Sequence, residues 1–305
     1  MGDTNAMHFG AGNAGSDDID HVNHVGMAVR DLKAIATRFE ELGFILTPFS
    51  PHSGAWKPGD KVQSLASGNR CIMFGDNYLE ILASENPAAP APRISNFLNR
   101  HQGAHIICFN TEKPEQVDQR LRANGVSTSG VIPLQREIDT PDGVKTAKFQ
   151  RVQFAPNESP EGYIQAARHL TPEYIYQPRY TAHPNGSEML RDTYLVTDDV
   201  ERFADKYARY LSRPARQENG VTVFEFREGS RLLLITSEQA RKLLPGSLIP
   251  PPPCIAAVSF VTRDLQGQRE RLGRLALPFA EVDGRLVLPA EETGGLAFVF
   301  EQSRG

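Results

Sequence analysis

Cysteine is scarce in this sequence, and long hydrophobic runs are missing. The three cysteines, Cys71, Cys108 and Cys254, are far apart, and each lies in an apolar, strand-like stretch. This usage is typical of buried free thiols in a reducing cytosol, so we predict a cytoplasmic protein. No apolar stretch approaches the roughly 20 residues that cross a bilayer. We therefore expect no membrane partner.

An excess of positive charge is also missing, since the net charge is −4. This balance argues against nucleic acid or an anionic membrane as a partner. The sequence has no Gly-rich phosphate loop, Gly-x-Ser-x-Gly elbow or Cys-x-x-Cys pair, which excludes nucleotide, serine-hydrolase and zinc-finger motifs. Residues 1–18 are polar and Gly-rich, without the apolar core of a secretory signal, and we predict a disordered lead-in there.

One structural unit recurs four times along the chain. Each copy begins with an apolar strand, continues with an amphipathic helix and ends in further strands. Acidic residues mark the four predicted helix starts, namely Asp31, Glu112, Asp199 and Asp264, because Asp is a favoured N-cap residue. The order predicts an α+β fold of four βαβββ modules. Two modules side by side curve into an open barrel around a cup, so we predict two paired open barrels, residues 19–178 and 179–305.

The first two copies share a pattern of polar residues that suggests a metal site. In both, a histidine precedes the acidic residue by seven positions (31 − 24 and 112 − 105), and a Tyr-x-Glu or Tyr-x-Gln triplet ends the copy. The histidine and the final residue are His24 and Glu80 in the first copy and His105 and Gln165 in the second. Potential ligands at repeated positions predict one metal site built by two copies. His21 lies on the opposite face of a regular strand from His24, so the repeat selects His24.

Further polar residues lie close to these strands. Asn69 and Arg70 precede the last strand of the first copy, and either is expected to face the cup and bind a polar or anionic substrate. His169 lies four positions after Gln165 (169 − 165), so on a continuing strand it shares that face and is a candidate acid or base. Trp56 and Lys57 lie in a loop that is a candidate lid.

These residues resemble the vicinal oxygen chelate superfamily and, within it, glyoxalase-like domain proteins. The resemblance is carried by the segments HVGMAVRDL, GNRCIMFGDNYLEIL and AHPNGS. In that superfamily the first and last strands of each module supply the metal ligands. Carried over position by position, the resemblance implies one divalent metal ion (Fe, Mn, Co, Ni or Zn) and a ligand set of His24, Glu80, His105 and Gln165.

The resemblance implies a lyase, isomerase or epimerase. A small-molecule substrate would chelate the metal through adjacent oxygens, and the metal would stabilise an enolate-like intermediate. Glu80 and His169 are the candidate catalytic bases. Two alternatives stay open. His24, His105 and Glu80 also match the set of an Fe(II) extradiol dioxygenase, and some members of the superfamily are metal-free proteins that sequester a drug.

The C-terminal pair departs from the pattern. Asp192 and Ala257 stand where the first pair has its histidines, and the terminal strands offer no clear ligand pair. We therefore expect residues 179–305 to be a degenerate pair without a metal site. This pair would close the cup or support a homodimer.

Overall fold

The computed structural model describes residues 17–55, 57–156 and 158–304. The candidate lid residue Trp56 and residues 1–16 of the predicted lead-in lie outside the described residues. At the end of that lead-in, Asp18 is buried and forms an ion pair with Arg120, whose Nε lies 2.7 Å from Asp18 Oδ2. Asp18 is therefore packed against the fold, although it belongs to the predicted lead-in.

The first half of the chain contains two strand–helix–strand modules. The first comprises β1 (Val22–Ala28), α1 (Leu32–Glu41), β2 (Ser50–Gly54), β3 (Gln63–Met73) and β4 (Tyr78–Ser84). A helix that the repeat did not include, α2 (Pro92–Arg100), leads into the second module. That module comprises β5 (Gly103–Asn110), α3 (Pro114–Ala123), β6 (Thr128–Thr140), β7 (Gly143–Phe154) and β8 (Tyr163–His169).

The second half repeats this order after a short connection, which contains α4 (Pro172–Ile175) and a 3-10 turn (Pro178–Tyr180). The third module comprises β9 (Ser187–Val196), α5 (Val200–Leu211), β10 (Arg216–Glu218), β11 (Val221–Glu225) and β12 (Arg231–Ile235), followed by α6 (Ser237–Leu243). The fourth comprises β13 (Cys254–Thr262), α7 (Leu265–Arg274), β14 (Ala280–Val282), β15 (Arg285–Leu288), a 3-10 turn (Ala290–Thr293) and β16 (Ala297–Gln302). The predicted α+β fold of four βαβββ modules is confirmed.

The first eight strands form a barrel around the predicted cup. Their order is β1-β4-β3-β2-β6-β7-β8-β5, and β5 also pairs with β1. Strands β2 and β6 pair with each other, with His52 opposite Arg136. Hydrogen bonds therefore close this barrel, whereas the sequence predicts an open one. In the second half, β9 and β13 pair at the centre of the sheet, and β13 joins the barrel through Ile255 opposite Ala104.

One hydrophobic core joins the two halves. Helix α1 begins at its cap Asp31, whose side chain accepts from the Ala34 backbone N–H at 2.9 Å. It buries Ala36 and Phe39, which share one face at this spacing. The Phe39 ring packs against Phe298, with ring centroids 5.0 Å apart, and further phenylalanine pairs cross between the halves, namely Phe44–Phe260 and Phe74–Phe260. The first half therefore depends on the second for its packing.

The state of the cysteines agrees with the sequence analysis. Cys71, Cys108 and Cys254 are buried and free. No helix in the described part of the chain is long and apolar enough to cross a membrane.

Candidate functional site

A polar cavity lies inside the barrel of β1–β8. Five predicted site residues line it, namely His24, Asn69, Glu80, Gln165 and His169. The lining also contains polar residues that the sequence analysis did not select, namely His52, Arg93, Arg136 and Arg151, and two aromatic residues, Tyr78 and Phe149. The structure therefore brings most of the predicted residues together and adds a third histidine and three guanidinium groups.

The Glu80 carboxylate is the centre of the cluster. It lies on β4 and is buried. The Nε2 atom of His24 lies 3.9 Å from its Oε2, and the Nε2 atom of His52 lies 3.7 Å from its Oε1. Asn69 donates from Nδ2 to Glu80 Oε1 at 2.5 Å. Each carboxylate oxygen therefore faces one imidazole nitrogen, and Asn69 fixes the orientation of the carboxylate.

The tautomer of His24 follows from the residue beside it. Asn23 donates from Nδ2 to the Tyr176 hydroxyl at 2.7 Å and to the Asp76 carbonyl at 3.4 Å. Its Oδ1 therefore faces His24 Nδ1, at 2.8 Å. An amide oxygen only accepts, so Nδ1 carries the proton and Nε2 presents a lone pair to Glu80. Two acceptor atoms thus face each other, an arrangement that a cation or a donor between them would stabilise.

Burial keeps the cavity histidines neutral. Burial, together with the smaller effect of the nearby Arg136 cation, lowers the pKa of His24 to about 3. Burial also lowers the pKa of His52 to about 3, against the opposite effect of the Glu80 carboxylate. For His169, burial is again the largest cause of a pKa of about 3. The neutral imidazole is the form that binds metal ions.

His169 and Gln165 present polar atoms without partners. Neither ring nitrogen of His169 has a hydrogen bond among the described residues, and Gln165 Oε1 has none either. The His169 ring is held edge-on against Phe149, with ring centroids 5.0 Å apart. A buried polar atom without a partner is costly, so these atoms are suited to meet a bound ligand.

The structure corrects the position of His105. This side chain does not line the cavity. Its Nε2 contacts the His101 backbone carbonyl at 2.9 Å, and its ring stacks on Phe97 with centroids 4.8 Å apart. Helix α3 starts at Pro114 and α1 at Leu32, so the residue equivalent to His24, eight before the helix, is Ile106 (114 − 8). Ile106 does line the cavity.

The cause is a shift of one residue in the repeat. The caps Asp31, Asp199 and Asp264 each accept a backbone hydrogen bond, as predicted. In the second module the cap position is Lys113, not Glu112. A shift of one residue on a strand moves a side chain to the other face. His105 therefore points away from the cup.

Arg70 also differs from the prediction. It donates from Nε to the Thr47 carbonyl at 2.8 Å and pairs through Nη2 with Glu40 at 2.9 Å. Asn69 lines the cavity, whereas Arg70 lies outside it because successive side chains on β3 alternate between faces. A substrate-binding role for Arg70 does not fit this position.

The donor set of the cavity fits a divalent metal in its chemistry. His24, His52 and Glu80 supply two imidazole nitrogens and a carboxylate, and Gln165 Oε1 is a further free oxygen. When two ligand atoms bind the same ion, each at about 2.1 Å, they lie roughly 3.4 Å apart in a tetrahedral shell. The observed 3.9 and 3.7 Å are slightly wider. Within the described ranges, no three His, Cys, Asp or Glu side chains are already spaced to hold a metal, so these ligands would have to move closer together.

The second half lacks a comparable arrangement at its equivalent position. Asp192, eight residues before the start of α5 at Val200 (200 − 192), corresponds to His24. It is fully buried and accepts from Arg231 Nε at 2.6 Å and Nη2 at 2.8 Å. This ion pair satisfies the buried carboxylate within the protein itself, which is consistent with a structural role for this half.

The fold agrees with the known proteins that the chain matches. Residues 22–211 match the family model described as a glyoxalase-like domain, and the chain belongs to that family. The match covers the whole first barrel and part of the third module. No curated protein sequence matches the chain.

Solved structures share the whole fold at low sequence identity. A hypothetical protein from Staphylococcus aureus has a TM-score of 0.59 at 12% identity, over 92% of this chain and 99% of that one. A mutant of 4-hydroxymandelate synthase from Streptomyces coelicolor has a TM-score of 0.56 at 14% identity, over 94% of each chain. The Mn(II)-bound glyoxalase from Novosphingobium aromaticivorans has a TM-score of 0.52 at 10% identity, over 93% of this chain and 82% of that one.

Proposed function

We propose that the protein is a metal-dependent enzyme of the glyoxalase-like kind, acting on a small organic molecule with two adjacent oxygens. The observation that carries the proposal is the pair of imidazole nitrogens facing the Glu80 carboxylate at 3.9 and 3.7 Å. His24, His52 and Glu80 would hold the metal, with Gln165 as a further oxygen ligand. The Mn(II)-bound glyoxalase with the same fold supports the proposal.

When bound, a divalent metal would supply Lewis-acid stabilisation of negative charge on the substrate oxygens. The residues of the chain have distinct tasks around it. Asn23 keeps His24 in the tautomer that presents Nε2 to the cavity. Asn69 orients Glu80. Residues behind metal ligands commonly fix their orientation in this way.

His169 is the candidate group for moving a proton. Its two ring nitrogens have no hydrogen bond within the described part of the chain, and the side chain lines the cavity. A neutral imidazole can accept a proton from a substrate carbon and return it to a neighbouring one. We propose His169 for this role because Glu80 is occupied with the two imidazoles.

Metal content tests the proposal. The metal-stripped protein is dialysed against Mn(II), Co(II), Zn(II) or, without oxygen, Fe(II), and the bound metal is measured by mass spectrometry. We expect one ion per chain. Single substitutions His24→Gln, His52→Gln and Glu80→Gln should each lower the metal affinity by more than the roughly 10- to 100-fold typical for loss of a residue behind a ligand.

His105→Gln is the matched control. It replaces the one predicted ligand that the structure places outside the cavity, with the same amide as in the other variants. It should retain the metal affinity of the wild type. If the wild type binds no stoichiometric metal, or if His105→Gln loses the metal while His52→Gln keeps it, the proposed site is wrong.

A second candidate function is Fe(II)-dependent oxygen chemistry of the extradiol type. Two histidines and one carboxylate are the set found in many non-haem Fe(II) oxygenases, and His24, His52 and Glu80 provide this set without His105. Oxygen uptake by the iron-loaded protein on catechols would favour this candidate. Turnover with Mn(II) or Co(II) and no oxygen uptake would favour the lyase or isomerase. Binding of small molecules without binding of iron, Mn(II) or Co(II) would favour a metal-free sequestering protein.

A further inference from the structure

Charge in the barrel cavity is unbalanced. Three guanidinium groups, of Arg93, Arg136 and Arg151, line it together with one carboxylate, Glu80. With the histidines counted as neutral, the formal charge of the lining is +2 (3 − 1). A bound divalent metal would make the cavity still more positive. The cavity therefore favours an anionic ligand.

Two of these guanidinium groups are buried with neutral partners. Arg136 and Arg151 are each 7% exposed. Arg136 donates from Nη1 to Asn69 Oδ1 at 2.5 Å, and Arg151 donates from Nη1 to the Tyr163 hydroxyl. No ion pair joins either of them to a carboxylate in the part of the chain that the structure describes. A buried cation without a counterion is costly to maintain.

Arg231 in the second half is also a buried arginine, but it has a carboxylate partner. It is 9% exposed, and Asp192 accepts from its Nε at 2.6 Å and its Nη2 at 2.8 Å. The fold thus supplies a carboxylate for the buried guanidinium that lies outside the first barrel. Inside the first barrel no described carboxylate forms an ion pair with Arg136 or Arg151, so a bound ligand is suited to supply their counterion.

Asn69 keeps Arg136 apart from the one carboxylate in the cavity. Its Nδ2 donates to Glu80, while its Oδ1 accepts from Arg136. The amide stands between the two charges and leaves Glu80 facing the imidazoles. The Nε and Nη2 groups of Arg136 have no hydrogen bond among the described residues. These donors are suited to the fork-like recognition of a carboxylate.

We infer that the ligand of this cavity is a small carboxylate anion, held by Arg136 and Arg151. Its carboxylate binds the guanidinium groups, and a second oxygen next to it can reach a metal that His24, His52 and Glu80 would hold. A 2-oxo or 2-hydroxy carboxylate has this chemistry. The inference rests on the proposed function only in taking this cavity as the substrate site.

Pyruvate and pyruvamide test the inference. Both carry two adjacent oxygens and have nearly the same shape, but only pyruvate is an anion. Binding is measured by calorimetry or saturation-transfer NMR, on metal-stripped and on Mn(II)-loaded protein. We expect pyruvate to bind at least about tenfold more tightly than pyruvamide in both forms, the factor that a hydrogen bond to a charged group typically supplies. Arg136→Gln and Arg151→Gln should each reduce this preference at least about threefold.

Arg70→Gln is the control, because this arginine on the same strand as Asn69 lies outside the cavity. It should keep the full preference. Thermal unfolding checks that each variant is folded, and Arg151→Gln carries the test if Arg136→Gln does not fold. Equal binding of the two probes, no binding of either, or a preference that survives both cavity substitutions would overturn the inference.

The same data separate the inference from the proposed function. If the protein binds no metal but the stripped form still prefers pyruvate, the metal proposal fails and the inference stands. If metal binds as proposed but pyruvate has no advantage over pyruvamide, only the inference fails.

Discussion

Buried histidines make the stability of this protein sensitive to acid. At the scale of single residues, the barrel cavity contains three neutral imidazoles, and burial is the largest cause of their low pKa values. A histidine that stays neutral in the folded state makes the folded protein less stable as the pH falls. His169 shows it most clearly, because its ring nitrogens have no hydrogen bond in the described residues.

The pH dependence of stability follows from the pKa of His169, which is about 3 in the folded state against an ordinary value of 6.5. Between these values the unfolded chain binds the proton and the folded one does not. Stability is therefore unaffected above about pH 6.5 and falls as the pH drops from there towards 3. At pH 5 the loss from this one histidine is about 2 kcal/mol relative to pH 7.

His169→Phe tests this cause, because phenylalanine suits the aromatic surroundings and cannot be protonated. Urea unfolding of metal-free protein at pH 7 and pH 5 is compared between the wild type and the variant. The loss of unfolding free energy on acidification should be about 2 kcal/mol smaller in the variant. An equal loss in both proteins would show that His169 already titrates normally in the folded state.

At the scale of elements, close contact between strands shapes the cavity. Gly26 lies on β1 between β4 and β5. A Cβ atom added there would lie 2.9 Å from Ile106 Cβ and 3.0 Å from Glu80 Oε2. Glycine thus lets the strand that carries His24 approach the carboxylate, and any side chain at this position would push on Glu80.

Gly26→Ala is therefore expected to lower both stability and metal affinity. Overpacking of this kind costs about 1–3 kcal/mol, and the displaced Glu80 would bind the metal less tightly. Gly75→Ala is the matched control, since a Cβ there meets nothing within 4 Å, and it should change stability by no more than about 0.5 kcal/mol. Chemical unfolding and a Mn(II) titration measure both effects. Equal results for the two alanine variants would contradict this role of Gly26.

Most helices and strands could be predicted from the sequence, whereas the register of β5 and the start of β2 could not. Helix caps and apolar alternation located the four modules and the strands β1, β4 and β8, which carry His24, Glu80 and Gln165, because these signals are local. The register of β5 was wrong because Glu112 resembles a cap, although Lys113 occupies that position. Sequence reasoning misses His52 because the apolar residues 44–49 before it look like a strand, whereas β2 begins at Ser50. Only the pairing of β2 with β6 shows that His52 faces the cup.

At the scale of the whole molecule, the two halves share one core. Phe44 and Phe74 of the first barrel pack against Phe260 of the second half. Glu161, fully buried, pairs with Lys206 at 2.6 Å across the boundary. The His183 ring connects the Met73 carbonyl, at 2.8 Å, with the Ile45 backbone N–H, at 3.0 Å. His183 therefore has a structural role between the halves.

Separation of the halves is expected to unfold the first one. Exposure of three phenylalanines, Phe39, Phe44 and Phe74, would cost roughly 5–9 kcal/mol at about 1.5–3 kcal/mol each, which is comparable to the total stability of a typical domain. A fragment of residues 17–178 should therefore show no cooperative thermal transition and should bind a hydrophobic dye, whereas the full chain unfolds in one transition. A fragment that melts cooperatively near the temperature of the full chain would show that the first barrel folds on its own.

The central claim is that the cup of the first barrel holds one metal ion between His24, His52 and Glu80. The most direct measurement is anomalous X-ray scattering from a crystal of the full chain equilibrated with Mn(II). We predict one strong anomalous peak, about 2.1 Å from the Nε2 atoms of His24 and His52 and from a Glu80 oxygen. A peak beside His105, or a cup without any peak at saturating Mn(II), would contradict the claim.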